Sequence, residues 1–572
     1  MIKAKINNID IEVAPGTSIL DAAKEHGIKI PTLCYYPDLK INSDCRICSV
    51  EVKGKKNLVT ACSTPLTEGL EVATNTRKVL NARRVLTELI LANHDTNCTA
   101  CARNMKCELQ DLANTLGIEK NRFPTVLKRQ EVDDHNPSIY RNPNRCIKCG
   151  RCIEVCKEVE GTHVLENMYR SHDMKVSPKY GKYLSDEDCT FCGQCASVCP
   201  VAAITEMDDS IRVFDAIHDP NKHVIVQVAP SIRVAIGEEF GQEAGGEWTG
   251  ELVTALKLLG FDRVFDTDFT ADLTIIEEGH ELLHRVKNGG VLPMMTSCCP
   301  GWINYAEQNH EDILPHLSTC KSPQQMFGAL AKTYYAKSED IDPKDLFVVS
   351  VMPCTAKKYE AARDEMKADE RHPDVDAVLT TRELGKMVRQ QGINFNELKP
   401  MDFDNPFGIT TGAGAIFGAT GGVMEAALRT VYEVVNEKPL ESLDFKAVRG
   451  FEGVKEASVD LGGSEVKVAV AHTLKHAETL IEQIKGKESP YAFIEIMTCP
   501  GGCIGGGGQP YGTTNAKRIE RIESTYRVDE AMPLRKSHEN PHIKKLYEEF
   551  LKEPLGKRSH DLLHTHYKPR GI

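Results

Sequence analysis

Cysteine spacing constrains the fold of this chain more than any other feature. Of its 572 residues 21 are cysteine, and two runs, 146–156 and 189–199, share the pattern C-x2-C-x2-C-x3-C. We expect no secretory signal at the N-terminus, so these cysteines indicate metal or redox chemistry rather than a disulfide scaffold. Thiolates in C-x2-C spacing bind zinc or iron-sulfur clusters, because both accept tetrahedral sulfur ligation.

The two matching runs have the spacing of bacterial ferredoxins that hold two [4Fe-4S] clusters. In that fold the fourth cysteine of each run binds the cluster of the other run. The expected ligand sets are therefore Cys146, Cys149, Cys152 and Cys199 for one cluster, and Cys189, Cys192, Cys195 and Cys156 for the other. Neither cluster has an open position for a substrate, which indicates electron transfer.

Residues 1–78 carry a second cysteine group in a small β-rich unit. Alternating apolar residues on either side of Asn7–Asn8 predict a hairpin, and a helix is predicted over 19–26. The pattern C-x10-C-x2-C-x13-C keeps the central pair of plant-type [2Fe-2S] ferredoxins but departs from their C-x4-C spacing. A zinc ribbon is the alternative. The ligands are Cys34, Cys45, Cys48 and Cys62.

A third group follows a predicted helix over 76–93. His94, Cys98, Cys101 and Cys107 form H-x3-C-x2-C-x5-C, which gathers one imidazole and three thiolates on one loop. A zinc site with three cysteines and one histidine is chemically allowed here.

From about residue 210 apolar runs alternate with helical patterns, which predicts an α/β fold with mostly parallel sheets. The predicted strands cover 224–228, 263–265, 290–295, 346–352, 466–471 and 492–497. After about residue 515 the chain is charged, with Arg518 and Arg521 among its cations, and we expect helix lying along the surface.

Three cysteine-proline segments begin where predicted strands end. They read TSCCPGW over 296–302, MPCTAKKYE over 352–360 and EIMTCPGGCIGGGGQP over 495–510. Ligands bind at the carboxyl ends of strands in open α/β sheets. The glycines of the third segment allow close backbone approach to a bulky inorganic group.

These three segments, in this order, resemble the motifs of the [FeFe]-hydrogenases, and the whole chain is similar to the monomeric, multi-cluster clostridial type. The resemblance implies an α/β catalytic domain with mostly parallel sheets around a buried metal cluster, preceded by ferredoxin-like α+β iron-sulfur domains. The implied units are a plant-ferredoxin-like [2Fe-2S] domain at 1–78, a His/Cys3 [4Fe-4S] domain at 79–125, a two-[4Fe-4S] ferredoxin domain at 126–209, and the catalytic domain with its tail at 210–572.

The resemblance also implies the cofactors: one [2Fe-2S] cluster, three accessory [4Fe-4S] clusters and the H-cluster, which maturation proteins assemble. The H-cluster is a [4Fe-4S] cubane joined to a two-iron subcluster with CO, CN⁻ and a bridging amine-dithiolate. Its ligands are Cys299, Cys354, Cys499 and Cys503, with Cys503 bridging the two parts. His94 becomes a [4Fe-4S] ligand, and its neutral imidazole raises that cluster's potential relative to all-cysteine ligation.

Roles for further residues follow from the same resemblance. Cys298 is the proton donor beside the cofactor, and Lys357 hydrogen-bonds a cyanide nitrogen. The proton path from Cys298 is Glu278, Ser318, Glu281 and Arg285. Other residues lining the pocket are Pro230, Ser231, Ser322, Gln324, Met352, Phe417 and Met497. Cys320 is left without a role beyond packing.

The implied reaction is 2 H⁺ + 2 e⁻ ⇌ H₂, with ferredoxin or flavodoxin as the electron carrier. Such an acidic carrier is expected to dock at a basic patch formed by Lys3, Lys5, Lys53, Lys55 and Lys56. The net charge of −12 argues against nucleic-acid binding, and no apolar run of 18 residues suggests a membrane span. A cytoplasmic monomer is expected.

Three alternatives compete with this interpretation. The first is a non-catalytic relative that works in iron-sulfur assembly, against which Cys298, Lys357 and the glycine-rich segment argue. The second is an electron-transfer subunit of a larger dehydrogenase, suggested by residues 1–209. The third is a hydrogen sensor, against which the presence of Cys298 argues.

Overall fold

The computed structural model describes residues 1–368 and 371–571. Its first unit is a five-stranded sheet whose strands lie in the order Ile9–Val13, Ile2–Ile6, Glu71–Ala73, Ser49–Val52 and Val59–Thr60. The hairpin predicted at Asn7 and Asn8 is confirmed, because both residues have positive φ, 50° and 65°, as a two-residue turn of this hand requires. The predicted helix is Ile19–Glu25, with the Ser18 hydroxyl accepting the Asp21 N–H.

Two helices and a ferredoxin-like unit follow. The helix Arg77–Ala92, capped by Thr76, leads into the loop that contains His94, and Glu108–Thr115 follows that loop. The ferredoxin-like unit repeats one arrangement, in which a glycine of positive φ precedes a short helix. Its elements are the helices Arg151–Glu154 and Gln194–Ser197, and the antiparallel pairs Ile139–Arg141 with Ile204–Glu206 and Glu166–Met168 with Lys175–Ser177.

Two four-stranded sheets form the centre of the remaining chain. The first is parallel throughout, in the order Arg263–Asp266, His223–Val228, Leu346–Met352 and Ala377–Thr380. The second runs Met294–Met295, Tyr491–Met497, Ser464–His472 and Val454–Leu461, and only its last pair is antiparallel. The α/β class with mostly parallel sheets is therefore confirmed. The strand predicted over 290–295 is shorter, since only its last two residues pair.

Helices cover these sheets, and both sheets direct strand ends toward one interior cavity. Residues that follow five of the strands line it. The α-helices before the tail are Ser210–His218, Thr249–Leu259, Asp268–Asn288, Pro300–Asn309, Pro323–Leu330, Ala336–Ser338, Ala356–Ala361, Thr381–Gln390, Gly412–Ala415, Gly422–Asn436 and Leu474–Lys485. No helix in residues 1–368 or 371–571 is long and apolar enough to cross a bilayer.

The C-terminal tail is helical, as predicted, but its expected surface position is wrong for its first helix. The helices are Asn515–Ala531, Pro541–Leu546 and Lys557–Leu563. Arg518 and Arg521 are buried. Arg521 donates to Glu238 Oε1 over 2.7 Å and to the Ile504 carbonyl over 2.7 Å. No local pattern predicts this burial, because a cation is buried where a carboxylate distant in sequence pairs with it.

Candidate active site

The three cysteine-proline segments meet at a cavity in the protein interior, where the space free of protein atoms, including the part open to solvent, is about 720 Å³. Cys299, Cys354, Cys499 and Cys503 all line it, and none forms a disulfide. Burial raises the pKa of Cys354 to about 12. It also raises the pKa of Cys499 well above its ordinary value, with neighbouring thiols adding to the effect. Clustered thiolates in so dry a site need bound cations, so this donor set fits a metal cluster.

The glycine-rich segment packs tightly against the second segment and against its own start. A Cβ added to Gly506 would lie 2.2 Å from the Pro353 carbonyl oxygen, and one on Gly502 would lie 2.8 Å from Met497 Sδ. Gly502 also has a φ of 90°, a conformation that side chains disfavour. These glycines are therefore needed to bring Cys499 and Cys503 to the cavity.

Lys357 joins Cys298 to a buried carboxylate. Its Nζ donates to the Cys298 carbonyl over 3.0 Å and to Glu360 Oε2 over 3.0 Å. Burial alone would lower the pKa of Lys357, but the carboxylate of Glu360 outweighs burial, and the pKa lies above its ordinary value. Lys357 therefore stays charged, with its ammonium group at the cavity wall.

Six of the seven predicted pocket residues line the cavity: Pro230, Ser231, Gln324, Met352, Phe417 and Met497. Ser231 Oγ and Gln324 Oε1 are buried without a hydrogen-bond partner among the described residues. Such orphaned polar atoms fit a cavity that holds polar cofactor ligands. The seventh, Ser322, lies one layer behind the wall and donates to Glu360 Oε2 over 2.9 Å.

The predicted proton path is a buried row of polar groups. Glu278 and Glu281 lie on the helix Asp268–Asn288, one turn apart. Ser318 Oγ donates to Glu281 Oε2 over 2.8 Å, and Arg285 Nη2 donates to Glu281 Oε1 over 2.6 Å. Burial, reinforced by the charge of Glu281, raises the pKa of Glu278 to about 8. The charge of Glu278 in turn contributes to the raised pKa of Cys298, so these two groups are neighbours.

The structure also brings the predicted thiol ligands of the first unit together. Cys48 Sγ lies 3.4 Å from Cys62 Sγ. The Cys34 thiol is the largest cause of the lowered pKa of Cys45, so these two thiols are also neighbours. His94 is buried, and its Nδ1 has no hydrogen-bond partner in the part of the chain that the structure describes. Burial lowers the pKa of His94 to about 4, so the ring is neutral and able to ligate.

The ferredoxin-like unit provides two further thiol groups. Cys146, Cys149, Cys152 and Cys199 line one cavity, which is the crossed set expected from the sequence. In the other set, the charges of Cys189 and Cys156 add to the effect of burial in raising the pKa of Cys195, so these three thiols are neighbours.

Several functional contacts were not predicted. Glu360 Oε2 accepts not only from Lys357 but also from Ser322 and Gln324. Thr498 N–H donates to Cys299 Sγ over 3.4 Å. Thr355 Oγ1 donates to the Phe191 carbonyl, which ties the cavity to the ferredoxin-like unit. A threonine or glutamate next to a cysteine motif is only weak sequence evidence for a role at the site. Among these residues only Glu360 offered such evidence, because it lies three residues after Lys357.

Comparison with known families matches nearly the entire chain. Residues 222–507 match the iron only hydrogenase large subunit, C-terminal domain, and 515–570 match the iron hydrogenase small subunit. Residues 1–77 match a 2Fe-2S iron-sulfur cluster binding domain. The segments 83–122 and 136–205 match the NADH-ubiquinone oxidoreductase-G iron-sulfur binding region and the ferredoxin-like domain of NADH-quinone oxidoreductase subunit 3.

Individual relatives agree with these matches. The NADP-reducing hydrogenase subunit HndD of Solidesulfovibrio fructosivorans is 48% identical, covering 100% of this chain and 99% of the relative. Iron hydrogenase 1 of Clostridium pasteurianum is 40% identical over 98% of this chain and 99% of its own length. A solved variant of the [FeFe]-hydrogenase HydA1 from Chlamydomonas reinhardtii is 44% identical, with a TM-score of 0.58, covering 64% of this chain and 100% of that one.

The fold and the cysteine-lined cavity thus define an iron-sulfur oxidoreductase with a buried cluster. More narrowly, the chain belongs to the [FeFe]-hydrogenase family, which confirms the resemblance read from the three motifs. Iron-sulfur clusters and an H-cluster are the cofactors that this membership implies.

Proposed function

We propose that this protein catalyses the reversible reaction 2 H⁺ + 2 e⁻ ⇌ H₂, with ferredoxin or flavodoxin as the electron carrier. One observation above all supports the proposal: four thiols, Cys298 and the Lys357 ammonium group share one buried cavity, from which polar groups lead outward. When bound, the H-cluster supplies the open iron position and the electrons for H₂ chemistry.

The residues around the cavity have different roles in this proposal. Cys299, Cys354, Cys499 and Cys503 hold the cluster, while Ser231 and Gln324 present unpaired polar atoms to its ligands. Lys357 offers a positive charge to an anionic ligand and, through its bond to the Cys298 carbonyl, fixes the loop that carries the Cys298 thiol.

Protons reach Cys298 along the row of polar groups. Arg285 pairs with Glu281 at the outer end of this row, and Ser318 Oγ, which donates to Glu281, lies beside Glu278. Glu278 is protonated below a pH of about 8, so it is able to donate toward Cys298 at neutral pH. In this scheme a thiol and a carboxyl exchange the proton inside the dry site, and water outside Arg285 replenishes it.

Electrons travel through the accessory clusters. We assign the [2Fe-2S] cluster to the thiols of residues 1–78, one [4Fe-4S] cluster to His94 with Cys98, Cys101 and Cys107, and two to the crossed ferredoxin sets. One of these two clusters adjoins the active cavity, namely the one assigned to Cys189, Cys192, Cys195 and Cys156. Phe191 and Gln194, which lie among these cysteines, hydrogen-bond to loops that line the cavity.

One experiment tests the catalytic assignment. Protein matured with its diiron cofactor should evolve H₂ from dithionite-reduced viologen and show infrared bands of metal-bound CO and CN⁻. A fully loaded protein without either property would instead favour the relative that works in iron-sulfur assembly.

The electron carrier is tested through the basic patch on the first unit. All five lysines are exposed, but Lys5 pairs with Asp10 and Lys53 with Glu71. The most informative change is therefore Lys55→Glu with Lys56→Glu, compared with Lys438→Glu on the exposed surface of the catalytic unit. Only the double variant should weaken ferredoxin-driven turnover and its dependence on salt. If the wild type, the double variant and Lys438→Glu have the same ferredoxin-driven turnover and salt dependence, this patch is not the docking site of the carrier.

A second candidate is that the chain is the hydrogen-activating subunit of an NADP-linked complex. This chain is 48% identical over its full length to HndD, which is named as a subunit of an NADP-reducing hydrogenase, and this similarity favours the second candidate. The isolated chain would then evolve H₂ from reduced viologen but not from NADPH. Ferredoxin-driven turnover by the isolated chain at rates near those with viologen supports the first candidate instead. For that candidate we propose a cytoplasmic monomer.

A further inference from the structure

Three metal-binding side chains meet beside the proton path: Glu281, Cys320 and His564. Their ligand atoms all lie within 4.8 Å of one another, and all three residues are buried. Cys320 Sγ is 4.0 Å from Glu281 Oε2 and 4.0 Å from His564 Nδ1. Carboxylate, thiolate and imidazole are the donors that zinc takes from proteins.

The backbone brings Cys320 and His564 together. The two residues form an isolated antiparallel β-bridge, in which Lys321 N–H donates to the Leu563 carbonyl and Thr565 N–H to the Thr319 carbonyl. Directly opposed residues in such a bridge place their side chains on the same side. The helix Asp268–Asn288 then supplies Glu281 from the next layer.

The imidazole of His564 is oriented as a metal ligand would be. Its Nε2 lies 3.1 Å from Glu277 Oε2, in a buried group where Ser559 Oγ also donates to that carboxylate. Glu277 therefore holds the ring proton on Nε2. The lone pair of Nδ1 accepts from Thr319 Oγ1 over 2.8 Å and faces Cys320. Metal-binding histidines have this second-layer carboxylate in most proteins.

We propose that Glu281 Oε2, Cys320 Sγ and His564 Nδ1 form a binding site for Zn²⁺ or a similar thiophilic divalent cation. Binding releases the thiol proton of Cys320, so one thiolate and one carboxylate neutralise the ion, and water takes the fourth position. Tetrahedral bonds of ordinary length separate the ligand atoms by roughly 3.5 Å, so the triad contracts by about half an ångström. The Thr319 hydroxyl rotates away from Nδ1 as the ion enters.

Two exposed imidazoles lie on the solvent side of this site. His564 stacks on His560 with ring centroids 4.7 Å apart, and His560 lies at the surface near His566, which is also exposed. These two outer imidazoles offer transient ligands above the buried triad.

One consequence of this site rests on the proposed function. Glu281 Oε2 is also the acceptor of the Ser318 hydroxyl. A cation bound to that oxygen displaces the Ser318 hydrogen bond and neutralises Glu281, which interrupts the path between Arg285 and Glu278. Zinc should therefore slow H₂ evolution without touching the active cavity.

Zinc K-edge X-ray absorption of the holoenzyme with one equivalent of Zn²⁺ tests the site, because iron does not contribute at that edge. We expect one sulfur at about 2.3 Å and nitrogen or oxygen ligands at about 2.0–2.1 Å. Cys320→Ala should remove the sulfur signal and weaken Zn²⁺ binding at least tenfold. Cys320→Ser serves the same purpose if the alanine variant does not fold.

The matched control is His538→Gln. His538 belongs to a second, half-buried group with Glu433 and Glu539, where adventitious zinc would bind without sulfur. This variant should keep the zinc-sulfur signal. A wild-type spectrum without sulfur, or with a sulfur that persists in both Cys320 variants, overturns the proposal and leaves the proton path untouched.

Turnover separates this inference from the proposed function. Zinc should reduce H₂ evolution in the wild type several-fold relative to its zinc-free rate, and Cys320→Ala should lose that sensitivity. If the zinc-sulfur signal is present but turnover is unchanged, the metal site stands and the role of Glu281 in the proton path is wrong.

Discussion

Thr355 Oγ1 donates a hydrogen bond to the Phe191 carbonyl oxygen over 2.6 Å. Thr355 follows Cys354 of the active cavity, and Phe191 lies between two cysteines of the ferredoxin-like unit. Gln194 repeats the contact at the glycine-rich segment, donating to the Gly505 carbonyl over 2.8 Å. The loops of two clusters are thus joined directly, which fixes the distance over which an electron must pass.

Replacing Thr355 with valine tests this junction. Valine has a similar shape but leaves the Phe191 carbonyl without its buried donor, at a cost of about 1–3 kcal/mol. We expect a lower midpoint in thermal unfolding, while Thr355→Ser, which keeps the hydroxyl, should lie much closer to the wild type. Equal midpoints for valine and wild type would show that the bond does not stabilise the junction.

Glu360 should matter more than a surface carboxylate. Its removal in Glu360→Ala leaves Lys357 buried without its counter-charge, which costs about 3–5 kcal/mol in comparable buried pairs. The control is Asp342→Ala, which breaks the exposed Lys344–Asp342 pair and should leave the free energy of unfolding close to that of the wild type. Denaturant unfolding of the two variants gives the comparison, and similar losses would contradict the buried role of Glu360.

Local patterns determined most of the fold. The Asn7–Asn8 hairpin, the helix Arg77–Ala92 with its Thr76 cap, and the strand Leu346–Met352 each follow from short-range periodicity or turn chemistry. Two strands of the two four-stranded sheets escaped prediction. Ala377–Thr380 has only four residues before a helix begins, and Val454–Leu461 is an edge strand rich in polar residues. The apolar run of the first has only three residues, 377–379, and the second contains none.

The site was predictable where motifs specify it and not where distant segments meet. Spacing and family resemblance indicated Cys298, Cys299 and Lys357. The placement of Ser322 behind Glu360 depends on packing between separate helices, which the motifs do not encode. The pairing of Cys320 with His564 could not be predicted either, because it depends on packing between residues more than 240 positions apart.

Glu278 should give the protein a specific pH dependence of stability. Its pKa rises from the ordinary 4.5 to about 8 in the folded chain, first because of burial and then because of Glu281. The folded state then holds the proton more tightly than the unfolded state, so the stabilisation is complete below pH 4.5 and is lost as pH rises to about 8. Relative to Glu278→Gln, the free energy of unfolding should fall across that window and then level off. A constant difference would show an ordinary pKa.

Cys298 should be required for proton delivery but not for cofactor binding. Cys298→Ala removes the exchangeable proton, and we expect H₂ evolution to fall by about 10²–10⁴-fold, the usual contribution of a proton-transferring group. Cys298→Asp should retain part of the activity because a carboxyl also exchanges protons. Infrared spectra of both variants should keep the CO and CN⁻ bands. Near-normal turnover in Cys298→Ala would remove this thiol from the path.

His94 offers a test of the accessory clusters. His94→Cys replaces a neutral ligand with an anionic thiolate, which stabilises the oxidised cluster, so the cluster should form and its reduction potential should fall. The neutral state of His94 is favoured by burial, which lowers its pKa to about 4. A redox titration followed by electron paramagnetic resonance measures the change, with the cluster of Cys146 and Cys199 as an internal control that should not move. An unchanged set of potentials would mean that His94 Nδ1 does not bind iron, and its missing hydrogen-bond partner within the described residues would need another explanation.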